Sequence, residues 1–395
     1  MLTDHRRAFN AGWRPETYAR LRQTVSERAG AALGFKVSET PCFFPRAVMD
    51  EMAEIGHTLV MQIFGNPEAM RAAEAAVPER FRGFTQEAMP TFLQVDFGLV
   101  RTAEGVAPRL VELQAFPSLY GFQSLLGEAY RDVYHLDGGL GVYLGGLDAG
   151  AYRALVGRAI LGDRDPSEVV LLEIQPEQQK TRPDFTATER LWGVRTVDVA
   201  EVVREGRRLF HRRDGRLEQI RRIYNRVIPD ELERTGLALP FDYRDELDVE
   251  WAGHPSWYFR ISKFNIPWLA HPAVPPTWYL HELERWPEDR DRYLLKPLFS
   301  FAGGGILFGP GEAELAAIPA GARDQFIVQE RMDFAPVIDT PDGPTQAEVR
   351  IMYVWTDRLH ATLPLVRMGR GQMMGVAHNR HLDWVGASAA LIAEG

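Results

Sequence analysis

Three consecutive glycines follow a lysine-bearing segment in the last third of the chain. In LLKPLFSFAGGGILF, Lys296 precedes Ser300 by four residues, and Gly303, Gly304 and Gly305 come next. Consecutive glycines let the backbone approach a ligand closely and point successive N–H groups at it. No Gly-Lys-Ser/Thr follows, and the next segment is strand-like, so this is not a Walker A loop. The pattern predicts a mobile loop that covers a triphosphate, with a flexible hairpin turn as the alternative.

Lysine is rare in this sequence. Of the 45 basic residues, only four are lysine: Lys36, Lys180, Lys263 and Lys296. An ammonium group is a compact point charge, and some phosphate sites use it in place of the planar guanidinium of arginine. Each lysine is therefore a candidate anion ligand, with chance retention on the surface as the alternative.

A strand ending in two polar residues follows the glycine loop. In QFIVQERM, Gln329 and Glu330 close an apolar run. A carboxylate at this point can accept hydrogen bonds from ribose hydroxyls while backbone groups meet adenine; a solvated strand end is the alternative. The order of lysine, lysine-proline with glycine loop, and Gln-Glu strand predicts a nucleotide site.

A second polar cluster lies upstream, in two strand-like runs, TFLQVDFGLV and RLVELQAF, joined by the turn TAEGVAP. Glu112 and Gln114 are two residues apart on one strand and must share a face. Asp96 lies on the partner strand, and it joins that face if paired residue numbers sum to an even value. Magnesium prefers oxygen ligands. The hairpin therefore predicts a magnesium site, with an exposed polar face as the alternative.

Composition restricts the class of protein. The chain has 395 residues, 45% of them apolar and 25% charged, which favours two or three domains or subdomains around a substantial core. Its net charge of −9 argues against nucleic acid as a partner, and its single cysteine against a disulfide scaffold. No apolar run is long enough to span a membrane, and the segment MLTDHRRAFN has no signal-like apolar stretch. We expect a soluble cytoplasmic protein that binds small molecules; the oligomeric state stays open.

Several stretches, in their order along the chain, resemble the circularly permuted ATP-grasp superfamily. Over about residues 91–380 the chain is similar to the synthetase part of glutathionylspermidine synthase, through VDFGLV with LVELQAFPSLY, LLEIQPEQQ, RRIYNRVIP, ISKFNIPWLAHPAVPPTWYL, LLKPLFSFAGGGILF and FIVQERM. In that family a metal-binding hairpin precedes the nucleotide lysines. The resemblance implies a carboxylate–amine ligase that uses ATP and Mg²⁺ and forms an acyl phosphate.

The resemblance also implies a fold and its divisions. It predicts an α+β, ATP-grasp-like, circularly permuted chain with an α/β layer of the kind that precedes the ATP-grasp core. Outside the range of the resemblance, apolar residues spaced three and four apart predict a helical N-terminal region over residues 1–90. Residues 91–150 would contain the metal-binding hairpin and a helix belonging to the ATP-grasp core. Residues 151–250 form the α/β layer, and residues 251–395 the ATP-binding α+β domain.

Individual roles follow from the same resemblance, as expectations. Asp96, Glu112 and Gln114 would bind magnesium. The phosphate lysines would be Lys263 and Lys296, under a loop containing Ser300 and Gly303–Gly305. Gln329 and Glu330 would lie near adenosine. A late arginine, Arg380 or Arg350, would be catalytic.

Two positions depart from the family pattern. Gln114 stands where the family has asparagine, and Gln94 where it has an arginine of the reaction centre. A second possible metal region lies in the tail, at Glu348 and Asn379. The departures leave two other functions open, a non-catalytic nucleotide-binding scaffold or sensor and an ATP-grasp kinase that acts on a small molecule.

Overall fold

The computed structural model describes residues 1–83, 87–300 and 303–393. None of its helices is long and apolar enough to cross a membrane. The α-helices are α1 (Thr3–Gly12), α2 (Pro15–Ala29), α3 (Arg46–Phe64), α4 (Pro67–Ala76), α5 (Tyr120–Val133), α6 (Ala149–Leu161), α7 (Arg182–Trp192), α8 (Pro229–Thr235), α9 (Ser256–Arg260) and α10 (Glu312–Ala316).

The strands of the described residues form four sheets. They are β1 (Cys42–Pro45), β2 (Phe92–Thr102), β3 (Gly105–Gln114), β4 (Leu140–Gly141), β5 (Val169–Glu173), β6 (Arg195–Asp198), β7 (Val203–Glu205), β8 (Arg208–Arg213), β9 (Arg216–Ile220), β10 (Arg222–Asn225), β11 (Glu250–Ala252), β12 (Thr277–Tyr279), β13 (Tyr293–Pro297), β14 (Leu307–Phe308), β15 (Phe326–Glu330), β16 (Gln346–Trp355), β17 (Leu359–Gly369) and β18 (Gly386–Ala393).

The largest sheet has seven strands in the order β1-β18-β17-β16-β2-β3, with β4 paired to β18. The predicted hairpin is its β2–β3 end, and β2 pairs antiparallel with β16. On β16, Met352 and Val354 pack in an apolar cluster with α5 and α6, whereas Arg350 and Glu348, on the same face, line a cavity. This face of the sheet therefore packs in the hydrophobic core at one end and forms the floor of the cavity at the other.

The α/β layer predicted for residues 151–250 contains a parallel sheet, β11-β10-β5-β6. Strand β5, between β10 and β6, is buried along its whole length, as the apolar run Val169–Leu172 of a parallel strand covered on both faces is expected to be. The pair Asp214-Gly215, which is typical of tight hairpin turns, joins β8 and β9 of a three-stranded antiparallel sheet. Asp214 and Gly215 both have positive φ, 49° and 77°, as the tight two-residue hairpin turn requires.

The helical N-terminal region contains α1–α4 and one strand that the sequence did not predict. Leu21, Val25 and Ala29 recur at every fourth position of α2 and form its buried face. Cys42–Pro45 forms β1, which pairs parallel with β18 at the other end of the chain. Burial raises the pKa of the Cys42 thiol to about 12, in keeping with an inert packed cysteine.

The strands of the predicted α+β domain, residues 251–395, belong to two sheets. A four-stranded antiparallel sheet has the order β12-β15-β13-β14, whereas β16, β17 and β18 join the hairpin in the large sheet. The large sheet thus takes strands from the predicted ranges 1–90, 91–150 and 251–395. The chain as described has an α+β fold, and the domain division stays a prediction.

Candidate functional site

A cavity of about 1080 Å³ lies between the large sheet, the β12–β15 sheet and the N-terminal helices. Nine basic and five acidic side chains line it, in a protein whose net charge is −9. All four lysines of the sequence are among them, although they lie far apart in the chain. The cavity therefore has an excess of positive charge, which favours anionic ligands.

The floor of the cavity is a row of polar side chains across three strands. Asp96 of β2 pairs with Glu112 of β3, and Gln94 pairs with Gln114, so both pairs sum to an even value and share a face. On the other side of β2, Arg350 of β16 is directly opposite Asp96. The register thus brings the hairpin residues to the same face as an arginine from the tail.

Asp96 is 1% exposed and is held by two guanidinium groups. Arg350 Nε and Nη2 donate to its two carboxylate oxygens at 2.5 and 2.6 Å, and Arg367 Nη1 donates to Oδ2 at 3.1 Å. Burial alone would raise the pKa of Asp96, but the two arginines hold it below its usual value. Both carboxylate oxygens of this predicted magnesium ligand are therefore engaged.

Arg350 has no guanidinium N–H group left for a ligand. Besides Asp96, its Nη1 donates to Gln94 Oε1 at 2.6 Å. With its amide oxygen turned toward the guanidinium, Gln114 accepts from Nη2 at 2.7 Å and from Nη1 at 3.0 Å. These contacts occupy all five guanidinium N–H groups. Arg350 thus lies at the cavity as a fixed charge, and Gln114, like Asp96, is directed at it.

Glu348 and Glu112 are the carboxylates of this floor that line the cavity directly. Glu348 Oε1 accepts from Arg367 Nη1, opposite it on β17. Burial raises the pKa of Glu348, Arg367 opposes that shift, and the negative charges of Asp96 and Glu112 add to it. The three carboxylates are thus close enough to repel one another, as carboxylates that surround a cation do.

Lys263 is placed by a short 3₁₀ helix, Lys263–Trp268, whose first residues are fixed by a capping box. Ser262 Oγ accepts from the N–H of Phe264 at 3.2 Å, and Asn265 Oδ1 accepts from the N–H of Ser262 at 2.8 Å. The Lys263 ammonium lies 3.5 Å from Glu112 Oε2 and donates to the carbonyl of Ser300 at 3.0 Å. It therefore joins the hairpin to the start of the glycine loop.

Lys296 lies on β13 and is 3% exposed. Its ammonium donates to Gln329 Oε1 at 2.6 Å and to the carbonyl of Val111 at 3.2 Å. Burial lowers its pKa to about 8; Glu112 opposes that shift, and the positive charge of Lys263 adds to it. A buried ammonium without a paired carboxylate is costly, and a phosphate ligand would supply the missing charge.

The described part of the glycine loop borders the cavity. Gly303 lines the cavity, and Gly303 and Gly305 have φ of +75° and +73°, which few other residues adopt. A Cβ at Gly303 would collide with the end of the Met373 side chain, so the loop faces the segment 371–376 closely. Phe301 and Ala302, within the predicted loop, lie outside the described residues.

Three further residues of the predicted sites, Glu330, Arg380 and Asn379, occupy different parts of the structure. Glu330 accepts from Arg292 at 2.6 Å, on the face opposite Gln329, and neither residue is among those that line the cavity, although Gln329 contacts Lys296, which does. Arg380 lines the cavity, is exposed, and has no ion pair with another described residue. Asn379 is buried, and its amide bonds the backbone of Arg370, Met373 and Gly375, so it supports the segment 371–376.

Polar atoms without a hydrogen-bond partner among the described residues also line the cavity. Ser300 Oγ, Tyr258 Oη and Gln346 Oε1 are buried and unpartnered. Buried polar groups normally find a partner, so such atoms mark a place for a polar ligand. Ser300, whose carbonyl accepts from the Lys263 ammonium, thus has a hydroxyl that suits a phosphate oxygen.

The polar groups of the cavity suit a nucleotide phosphate chain. They also suit magnesium, but with ligands that differ from the predicted Asp96, Glu112 and Gln114. No group of three or more His, Cys, Asp or Glu side chains in the described part of the chain is arranged to hold a metal ion. Magnesium, however, is often held by one or two carboxylates together with substrate phosphates. Glu112 and Glu348 line the cavity and meet that need, whereas Asp96 and Gln114 are directed at Arg350.

Sequence reasoning missed Arg367. The residue lies in LHATLPLVRM, an otherwise apolar strand, and a single charged residue in such a run was the available signal. Its partners Asp96 and Glu348 come from two other strands, so only the strand register reveals the cluster. Glu348 had been considered only as part of a tail site; the structure brings it to the hairpin.

Comparison with solved structures finds a shared architecture. The chain is similar to a glutathione synthetase-like effector from Globodera pallida in its apo form, with a TM-score of 0.58, 12% sequence identity, and coverage of 96% of each chain. Identity this low shows a common fold and does not establish a common function. No family model matches the chain, and no curated protein matches it.

Proposed function

We propose that this protein is an ATP- and Mg²⁺-dependent carboxylate–amine ligase with a circularly permuted ATP-grasp fold, similar to glutathionylspermidine synthase. The observation that carries the proposal is the approach of Lys263 and Lys296 to the carboxylate of Glu112, inside a cavity with excess positive charge that the unpartnered Ser300 hydroxyl also lines. The likeness to a glutathione synthetase-like fold supports it, and so does the position of the hairpin before both lysines in the chain.

The lysines and the loop prepare the nucleotide. Lys263 and Lys296 neutralise the phosphate chain, Ser300 donates its hydroxyl to a phosphate oxygen, and Gln329 holds Lys296 in place. Glu112 and Glu348 are the residues that would hold magnesium together with the phosphates, and the ion would supply positive charge against the charge that develops during transfer. The glycine loop and the segment 371–376 meet over the site and exclude water, which protects an acyl phosphate from hydrolysis.

The reaction then proceeds in two steps. A carboxylate oxygen of the acid attacks the γ-phosphorus, which gives an acyl phosphate and ADP. The amine attacks the acyl carbon, loses a proton, and phosphate leaves with the electron pair of the C–O bond. Arg380 has free donors for the oxyanion of the second step. Arg350, whose donors are occupied by Asp96, Gln94 and Gln114, contributes a fixed positive charge.

The proposal is tested by following ADP release with combinations of small carboxylic acids and amines. Release that requires both an acid and an amine, with formation of an amide product, supports the ligase. Release with a stable phosphorylated product and no need for an amine would identify a small-molecule kinase instead. Nucleotide binding without ADP release in any combination would favour a scaffold or sensor, in keeping with the engagement of Asp96 by two arginines.

Lys296 makes nucleotide binding depend on pH. Its pKa of about 8 means that the free protein keeps this proton below pH 8 and loses it above. Phosphate binds the protonated form, so ATP affinity should be constant from pH 6.5 to 7.5 and fall by up to about tenfold per pH unit above pH 8. Calorimetric titration with ATP across pH 6.5–9.5 measures this, with Lys296→Arg as the control that stays charged. Equal slopes above pH 8 for both proteins would contradict the assignment.

A further inference from the structure

Arg367 forms a bridge between two carboxylates from different strands. Its Nη1 donates to Glu348 Oε1 and, at 3.1 Å, to Asp96 Oδ2. Glu348 is opposite Arg367 on the neighbouring strand, and Asp96 is one strand further. A single cationic group thus contacts one oxygen of each carboxylate, as a bridging metal ion would.

The surroundings of this bridge require a cation. The Asp96 side chain is 1% exposed and the Glu348 side chain 12%, and Glu112 lies close enough to influence both Glu348 and Arg367. Arg350 is directed at Asp96 and at the amides of Gln94 and Gln114, so its charge acts on Glu348 only from a distance, with no hydrogen bond between them. Without Arg367, Glu348 would have no cationic hydrogen-bond partner among the described residues, and its charge would face two others of the same sign.

We propose that Arg367 is a built-in cation that occupies the position between Asp96 and Glu348, where carboxylates so arranged would otherwise bind a divalent metal ion. The nucleotide-free protein then has no divalent-cation site of its own at this place, and any magnesium must arrive with phosphate, on the side of Glu112 and of the Glu348 oxygen that Arg367 does not contact. The inference concerns the nucleotide-free protein, so it stands or falls separately from the ligase proposal.

Removal of the guanidinium should convert the position into a metal site. In Arg367→Met the aliphatic stem keeps its packing, and the oxygens of Asp96 and Glu348 lose their shared cation. The matched control Arg367→Lys keeps a positive charge between the same oxygens and should not gain a metal. The double variant Arg367→Met with Glu348→Gln removes one of the two carboxylates and should lose the gained site.

Mn²⁺, titrated into nucleotide-free protein and followed by the electron paramagnetic resonance of the free ion, measures these differences. We expect about one Mn²⁺ per chain for Arg367→Met, bound at least tenfold more tightly than by the wild type or by Arg367→Lys. The double variant should return to the wild-type affinity. A folded Arg367→Met protein that binds Mn²⁺ no better than the wild type would overturn the inference.

The wild type provides a second test, which does not depend on the folding of Arg367→Met. Wild-type protein and Glu348→Gln should bind Mn²⁺ equally weakly in the absence of nucleotide. A one-to-one Mn²⁺ site in the wild type that Glu348→Gln weakens tenfold or more would show that a metal, and not Arg367, belongs between the carboxylates.

Discussion

Asp96→Asn should lower the free energy of unfolding by about 3–5 kcal/mol, because breaking a buried ion pair leaves an uncompensated charge in the interior. Asp96 accepts from both Arg350 and Arg367, and an asparagine amide can neither neutralise them nor accept through both of its ends. Urea denaturation followed by circular dichroism measures the change.

A matched control is available on the surface. Asp132 pairs with Arg28 at 2.7 Å, and its side chain is half exposed. Asp132→Asn should cost no more than about 1 kcal/mol, as exposed pairs do. If Asp96 were instead an unpaired metal ligand that other carboxylates repel, the metal-free Asp96→Asn protein would be at least as stable as the metal-free wild type. A loss below about 1 kcal/mol would therefore contradict the paired role.

Arg380→Met should reduce turnover by about 10²–10³-fold, the effect of removing a donor from an oxyanion site. Its stability should change by no more than about 0.5 kcal/mol, because the residue is exposed and has no ion pair with another described residue. The rate of ADP release with an active acid–amine pair, together with urea denaturation, measures both quantities.

Arg350→Met is the comparison that separates the two late arginines. Arg350 is 4% exposed and holds Asp96, so its loss should destabilise the fold as well as slow the reaction. In Arg380→Met the rate of ADP release should fall while the stability stays nearly unchanged. Full activity in Arg380→Met, with a loss of activity in a folded Arg350 variant, would reverse the assignment.

Local sequence signals predicted the elements that carry the site. The alternation of residues along the hairpin placed Glu112 and Gln114 on one face. The observed pairing of Asp96 with Glu112, whose numbers sum to an even value, places Asp96 on that face too. The apolar run at β5 and the Asp214-Gly215 turn were likewise evident, since each depends on residues within a single element. No local rule of this kind predicted that all four lysines would line one cavity.

Contacts between distant strands could not be predicted in the same way. Arg350 and Asp96 are 254 positions apart, and whether they are opposite each other depends on how β16 joins the hairpin. A shift of one residue would turn Arg350 to the other face. The sequence therefore showed Gln94 only as a missing arginine, whereas the structure places the Arg350 guanidinium against its amide oxygen at 2.6 Å.

The central claim is that the cavity binds ATP through its buried lysines, and thermal unfolding with and without Mg²⁺ and ATP tests it most directly. At ligand a hundredfold above its dissociation constant, the wild type should gain about 2.7 kcal/mol of stability. Lys296→Met, which removes the ammonium but keeps most of the side-chain volume, should lose most of that gain while remaining folded. No stabilisation of folded wild-type protein, or an equal gain in Lys296→Met, would contradict the nucleotide site and with it the proposed ligase.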